Sequence, residues 1–403
     1  MADGLQKITQ ANSEFRFASY SCECLVDVSH QTRNTKKFTF RLYPKSEPIY
    51  YAYIAGKGIV SKNRSRATDG RAVLPDLLLI ENGDVDKLKG FIERHGFFLP
   101  IDKNTDSSID AEMLFRLIDR IKATVNLMSA IGEPNTDYMK LLSLTLYLLV
   151  SPVVSIDLSN YESPFISCPH DLGQVWNKPY SINENLIRDD DVGYNTDEGH
   201  WINDSVRIPK TWLSNDSYAD AVGYDSLNLS KIKSNATYLF RNAVTVSSEC
   251  RLGIDFLFHF CKDVCDIVSW DCNGKLEFAD HAPSKANFMR KFDEQLQQAL
   301  IKLAKQTLKT EIEYNLVGIV PSYDTETMTP TWQVEYLLAG LHLSVFYMRP
   351  NIELYRTCEN PNCGLPFLVK TTSSKRKYCG SSCSNAMSQR NFRLRVKKQQ
   401  NIN

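Results

Sequence analysis

Nowhere in its 403 residues does the chain hold an apolar run of eighteen or more, the length a helix needs to cross a bilayer. The nearest approach, Leu141 to Val154, is short and carries Ser143, Thr145 and Ser151, so it reads as a buried helix. The opening MADGLQKITQANSEFRF has no apolar signal core. The expected location is therefore the cytoplasm, with no membrane among the partners. Gly (18) and Pro (16) are too few for a collagenous or low-complexity chain, and 11% aromatics argue against wholesale disorder. Catalytic signatures are missing too. There is no Gly-x-Ser-x-Gly, P-loop, Gly-x-Gly-x-x-Gly or His-Glu-x-x-His, and the seven histidines (His30, His95, His170, His200, His259, His281, His342) are scattered. The expectation is a protein that is not an enzyme. A last absence says most: after Glu359 there is no Asp or Glu at all.

The same stretch, 360–403, holds nine basic residues, so it carries +9 while residues 1–359 carry −9 (38 basic, 47 acidic), and the whole chain sums to zero. A basic end on an acidic body suggests a segment built for a polyanion, the bland alternative being a solvated tail. With 43% hydrophobic residues the rest can build two to three domains. The expected fold class is α+β. Residues 1–150 read as a mixed strand and helix domain, with three β-rich runs over 14–60. A short helix follows over Asp84–His95, ended by Gly96, and then amphipathic helices over Asp110–Gly132 and Asp137–Val150. Residues 151–235, rich in Asn, Asp, Ser and Tyr, read as a loop-rich insertion. Residues 236–355 read as mainly helical: an apolar stretch Tyr238–Trp270 that Gly253 interrupts, a helix Ser284–Leu316 capped by Ser284, and another over Thr331–Met348. Residues 356–403 form the terminal segment.

Eleven cysteines, an odd number without a secretory signal, argue against a disulfide framework. Cys358 and Cys363 lie close together, fifteen residues intervene, and Cys379 and Cys383 form a second close pair. Two such pairs supply a tetrahedral four-thiolate site for one structural Zn2+. Gly364 gives the first knuckle its backbone freedom, Phe367–Val369 reads as a short strand, and Lys375–Tyr378 as its return. Gly380, Ser381 and Ser382 suit the start of a helix running to about Lys398. Knuckle, hairpin and ligand-bearing helix make a small treble-clef-like segment.

The stretch RTCENPNCGLPFLVKTTSSKRKYCGSSCSNAMSQRNFRLR resembles the CGNR zinc-finger family. Cys358, Cys363, Cys379 and Cys383 match its ligands, Phe367 its aromatic, Arg376–Tyr378 its basic-aromatic step and Asn385 its Asn. Ser384 stands where the family has Gly and Ala386 where it has Arg, while Arg390 comes one helical turn later. The resemblance covers about forty-five residues; upstream, residues 83–101 look like part of an ABATE-type domain. It implies a bacterial transcriptional regulator whose body senses a small-molecule or protein effector or dimerises.

On the residues themselves, the expected function is nucleic-acid binding, with DNA ahead of RNA. Arg390, Arg393 and Lys397 share a helical face flanked by Arg395 and Lys398. Lys375, Arg376 and Lys377 precede Cys379 and are placed to hold a phosphate backbone. Asn385 and Gln389, one turn apart, are placed to read adenine edges. Phe392 and Val396 are expected to pack inward on the knuckle. The alternatives are an RNA-binding factor stacking bases on Tyr378 and Phe392, a zinc-stapled protein-interaction module, and a hydrolase within 155–280. Other clusters read as structural. Cys168-Pro-His170 offers two ligands and His200 a third, but two residues in a polar loop favour no second metal. His259, Cys261 and Cys265 read as core, His342 as a satisfied core histidine, Cys22 and Cys24 as thiols on one strand face, and Asp189–Asp191 as a solvated turn.

Overall fold

The structure, a computed structural model, describes residues 16–30, 36–54, 58–62, 71–101, 107–158, 164–177, 201–203, 206–207, 236, 239–240, 246–264, 267–270, 276–278, 290–325, 328–348, 353–370 and 376–400. In chain order come β1 (Arg16–His30), β2 (Lys36–Ile54), β3 (Gly58–Lys62), β4 (Arg71–Ala72), α1 (Val73–Leu78), α2 (Val85–His95), β5 (Ser107–Asp110), α3 (Ala111–Gly132), α4 (Tyr138–Val150), β6 (Ser155–Ile156), β7 (Phe165–Ile166) and α5 (Asp171–Asn177). Then follow β8 (Trp201–Asn203), β9 (Val206–Arg207), α6 (Ser248–Asp263), β10 (Ile267–Trp270), β11 (Leu276–Phe278), α7 (Glu294–Asn315), β12 (Ile319–Asp324), β13 (Thr329–Val334), α8 (Leu337–Phe346), β14 (Glu353–Thr357), β15 (Pro366–Lys370) and α9 (Ser381–Gln400). The class is α+β, as expected. The chain divides into two compact units, one built from residues 1–134, 154–166 and 312–403, the other from 135–153 and 167–311.

In the first unit a five-stranded antiparallel sheet runs in the order β1-β2-β3-β4, with β5 on the free flank of β2. Alternation puts Cys22, Cys24, Phe40 and Leu42 on the buried face. Burial pushes the Cys22 thiol up to about 11 and that of Cys24 up to about 12, so both are inert. Helix α2 starts where Asp84 Oδ1 accepts from the Lys87 amide at 3.0 Å, and it stops at Gly96, whose φ of 73° few side chains tolerate. Helix α3 is capped likewise by Asp110. His95 ties the layers together: Nδ1 meets Ser61 Oγ and Nε2 meets Asp76 Oδ2, each at 3.1 Å. This Ser–His–Asp line has its ring buried, and Arg94 shares Asp76 at 3.5 Å, so it joins β3 to α1 and α2.

The second unit packs α4, α5, α6 and α7. Asp137 caps α4 and Ser247 caps α6. Helix α6 passes unbroken through Gly253, against expectation. A Cβ there would sit 2.6 Å from Leu172 Cδ2, so this glycine is a notch for α5 rather than an interruption. Gly173 is tighter, because its Cβ would lie 2.6 Å from the backbone oxygen of Leu149, which cannot swing away. Gly173→Ala should cost about 1–3 kcal/mol, read as a lower urea midpoint at unchanged slope. An unchanged midpoint would refute the tight α4–α5 contact.

Three other expectations are corrected. The expected helix is broken at residues 292–293, where Phe292 is fully buried: residues 290–291 are helical, and α7 starts afresh at Glu294, capped by Asp293 Oδ1 accepting from the Leu296 amide at 2.9 Å. Residues 331–334 are not helical: β12 and β13 form a hairpin with Pro321 opposite Trp332, and α8 starts only at Leu337. Residues 267–270 form a strand paired with 276–278. The capping role of Ser284, the turn Asp189–Asp191, and His200, His281, Cys265, Cys272 and Lys375 lie outside the described residues.

Candidate metal centre

The terminal segment assembles around its cysteines. Strand β14 leads into the first knuckle, where the Cys363 and Gly364 amides both bond the Asn360 oxygen and Gly364 takes a φ of 58°. Strand β15 returns antiparallel to β14, with Arg356 opposite Phe367. This corrects the expected pairing of β15 with Lys375–Tyr378: the sequence before Cys358 is the strand that fits, and residues 376–377 have no regular structure. They are held instead by the Lys377 oxygen accepting from the Glu359 amide at 2.9 Å. Helix α9 then presents Cys383.

The four sulfurs lie within 4.8 Å of one another. Cys363 Sγ to Cys379 Sγ and Cys379 Sγ to Cys383 Sγ both measure 3.6 Å. A disulfide would need about 2.0 Å, whereas sulfurs around a tetrahedral zinc at about 2.3 Å stand about 3.8 Å apart. The donor set therefore fits one structural zinc. Four sulfurs at this spacing cannot all be anionic without a cation between them. A hydrogen bond with Asn360, and then those with the neighbouring thiols, draw Cys383 down to about 7. Burial, and then the hydrogen bonds that its own thiol proton makes to the neighbouring sulfurs, push Cys379 up to about 12. Beneath them lies a very small core: Cys358, Phe367, Val369 and Cys383 buried, with Tyr378 packed against them. A groove lined by Pro75, Leu79, Cys363, Leu365, Cys379 and Gly380 leaves one side of the cluster open to solvent.

Residues 355–396 match the CGNR zinc finger family, about a tenth of the chain. No curated protein and no solved structure matches the chain.

The candidate contact residues divide. Arg376 is held locally: Nε donates to the Tyr378 oxygen at 3.2 Å, Nη2 to the Cys379 oxygen at 2.7 Å, and the guanidinium stacks 5.3 Å above Phe367. Lys377 pairs with Glu359 at 3.2 Å. Asn385, Gln389, Arg390 and Arg393 are exposed on α9. Arg395, Lys397 and Lys398 lie on the same helix, their side chains undescribed. Phe392 does not pack inward: it is 68% exposed, because α9 runs past the small core and its middle turns meet none of it. Among the other histidines, His342 Nδ1 bonds the Leu338 oxygen at 3.0 Å inside α8, as its apolar neighbours predict. No helix among the described residues is long and apolar enough to cross a membrane.

Proposed function

We propose that this protein binds nucleic acid through its zinc-held terminal helix, duplex DNA ahead of RNA, and acts as a transcriptional regulator. One observation carries the reading. Helix α9 is anchored at its first turn by a metal ligand, has no acidic residue, and exposes Asn385, Gln389, Arg390 and Arg393 together. A helix without an apolar face has nothing to bury against its own protein, and its charge suits a phosphate backbone. Arg376 braces the knuckle, so the contacts fall to Arg390, Arg393, Arg395, Lys397 and Lys398, with Asn385 and Gln389 placed for base edges. On this reading the protein is not an enzyme, it is cytoplasmic, and the remainder of the chain answers a small-molecule or protein effector.

Fluorescence anisotropy against duplex DNA over a salt series tests it. Five neutralised phosphates give a log–log slope of about −4.5, and Arg393→Ala should shallow it by about 0.9. Equal, weak binding to DNA, RNA and heparin that survives Cys379→Ser/Cys383→Ser would refute the reading. The exposed Phe392 favours a second reading, single-stranded RNA with bases stacked on its ring. Phe392→Ala would then cost about 1–3 kcal/mol for single strands and nothing for duplex.

A further inference from the structure

A second constellation of metal-ligand residues lies deep in the other unit. Cys168 and His170 precede α5, Glu249 lies in the first turn of α6, and Glu311 near the end of α7. Cys168, His170 and Glu311 are all buried, Glu311 completely. The Cys168 sulfur, a His170 nitrogen and a Glu311 oxygen lie within 4.8 Å of one another. His170 Nε2 faces Glu311 Oε1 at 3.0 Å, and Nδ1 faces Glu249 Oε1 at 2.9 Å. The other Glu249 oxygen accepts from Thr310 Oγ1 at 3.1 Å, and Cys168 Sγ donates to the Thr310 oxygen at 3.8 Å.

We propose that Cys168, His170 and Glu311 bind a second divalent transition metal, zinc by the chemistry of the donors, with Glu249 as the positioning residue on the far ring nitrogen. Geometry supports this. Ligands at about 2.0 Å in a tetrahedral site leave nitrogen and oxygen about 3.3 Å apart, so the 3.0 Å between His170 and Glu311 need open only slightly. A thiolate, an imidazole and a carboxylate form a mixed soft and hard set that suits zinc rather than calcium or magnesium. A carboxylate on the outer nitrogen of a ligating histidine fixes its tautomer and aims the ring. Charge also balances. With a thiol, an imidazolium and two carboxylates the cluster carries one net negative charge. A dication that displaces the thiol proton and the Nε2 proton releases both to solvent and leaves that charge unchanged. Three protein ligands leave a fourth position for water or a small anionic group.

Metal counting by mass spectrometry decides the matter, on full-length protein loaded with zinc under reducing conditions and then desalted. Two zinc ions per chain are expected. Cys379→Ser/Cys383→Ser should retain one, and Cys168→Ser should also retain one. Cobalt loaded into the Cys379→Ser/Cys383→Ser variant should show thiolate charge-transfer absorption that disappears when Cys168→Ser is added. Glu249→Gln keeps all three ligands and should weaken zinc binding about 10–100-fold. A wild-type protein that takes up one zinc, lost wholly with Cys379 and Cys383, would overturn the proposal and leave a buried charge network that only braces three helices. Two zinc ions in Cys168→Ser would overturn it equally. The wild-type count decides even where a variant fails to fold.

Discussion

Stripping zinc from the full-length protein with a chelator should unfold the terminal segment while the five-stranded sheet survives. The segment's own core holds two large apolar side chains, Phe367 and Val369, among its cysteines. Their burial is worth about 3–6 kcal/mol together, against about 10–16 kcal/mol from a structural zinc. Nothing else described in the segment is of that size: the Lys377–Glu359 pair is exposed and contributes little. Amide exchange reports the outcome. Protection across β14, β15 and the first turns of α9 should collapse on chelation or in Cys379→Ser/Cys383→Ser, while β1 and β2 keep theirs. The groove beside Cys363 and Cys379 gives a chelator access. Protection unchanged in fully stripped protein would mean that the segment folds without its metal.

The second large effect is expected in α6. Arg251 Nε bonds Asp255 Oδ2 at 3.0 Å, a second nitrogen reaches Asp255 Oδ1, and the guanidinium lies 5.4 Å from the centre of the Phe240 ring. Both partners are buried. Arg251→Met leaves a carboxylate in an apolar interior and should cost about 3–5 kcal/mol, whereas Arg251→Met/Asp255→Leu should recover most of the loss. The pH dependence has a definite sign. Burial already lifts the Asp255 carboxyl above its ordinary range even with Arg251 beside it, and removing the arginine lifts it further. A carboxyl whose folded pKa is raised binds its proton more tightly folded than unfolded, so the variant should lose stability as pH rises. Urea unfolding of both variants from acid to neutral pH would show this. A single variant that costs under about 1 kcal/mol would mean that water reaches the pair.

Much of this was legible in the sequence. Asp84, Asp110 and Asp137 each announce a helix that the structure places within a residue, because a side-chain cap is a local device. The four zinc ligands were legible for the same reason: each pair comes from one turn. The failures share a cause. Strand β15 pairs with β14 across the first knuckle, and β12 with β13 at an unpromising proline, both choices made by partners rather than by propensity. Gly253 looked like an interruption because its role depends on Leu172, eighty-one residues away. Glu311 could not be linked to Cys168-Pro-His170 at all, since no spacing signal spans 141 residues.

The first unit is stitched from distant stretches, and this bears on the order in which the protein is made. The Ile59 amide bonds Ser344 Oγ at 3.0 Å, the Leu338 amide bonds the Phe98 oxygen at 2.8 Å, and the Tyr53 ring lies 4.9 Å from that of Tyr347. Each contact waits for α8 to leave the ribosome. During synthesis the N-terminal sheet therefore stands with part of its apolar face uncovered while the whole of the other unit is translated, and closing so long a loop is slow. The newborn chain should lean on chaperones through that interval, and fragments ending before residue 337 should aggregate where the full chain does not.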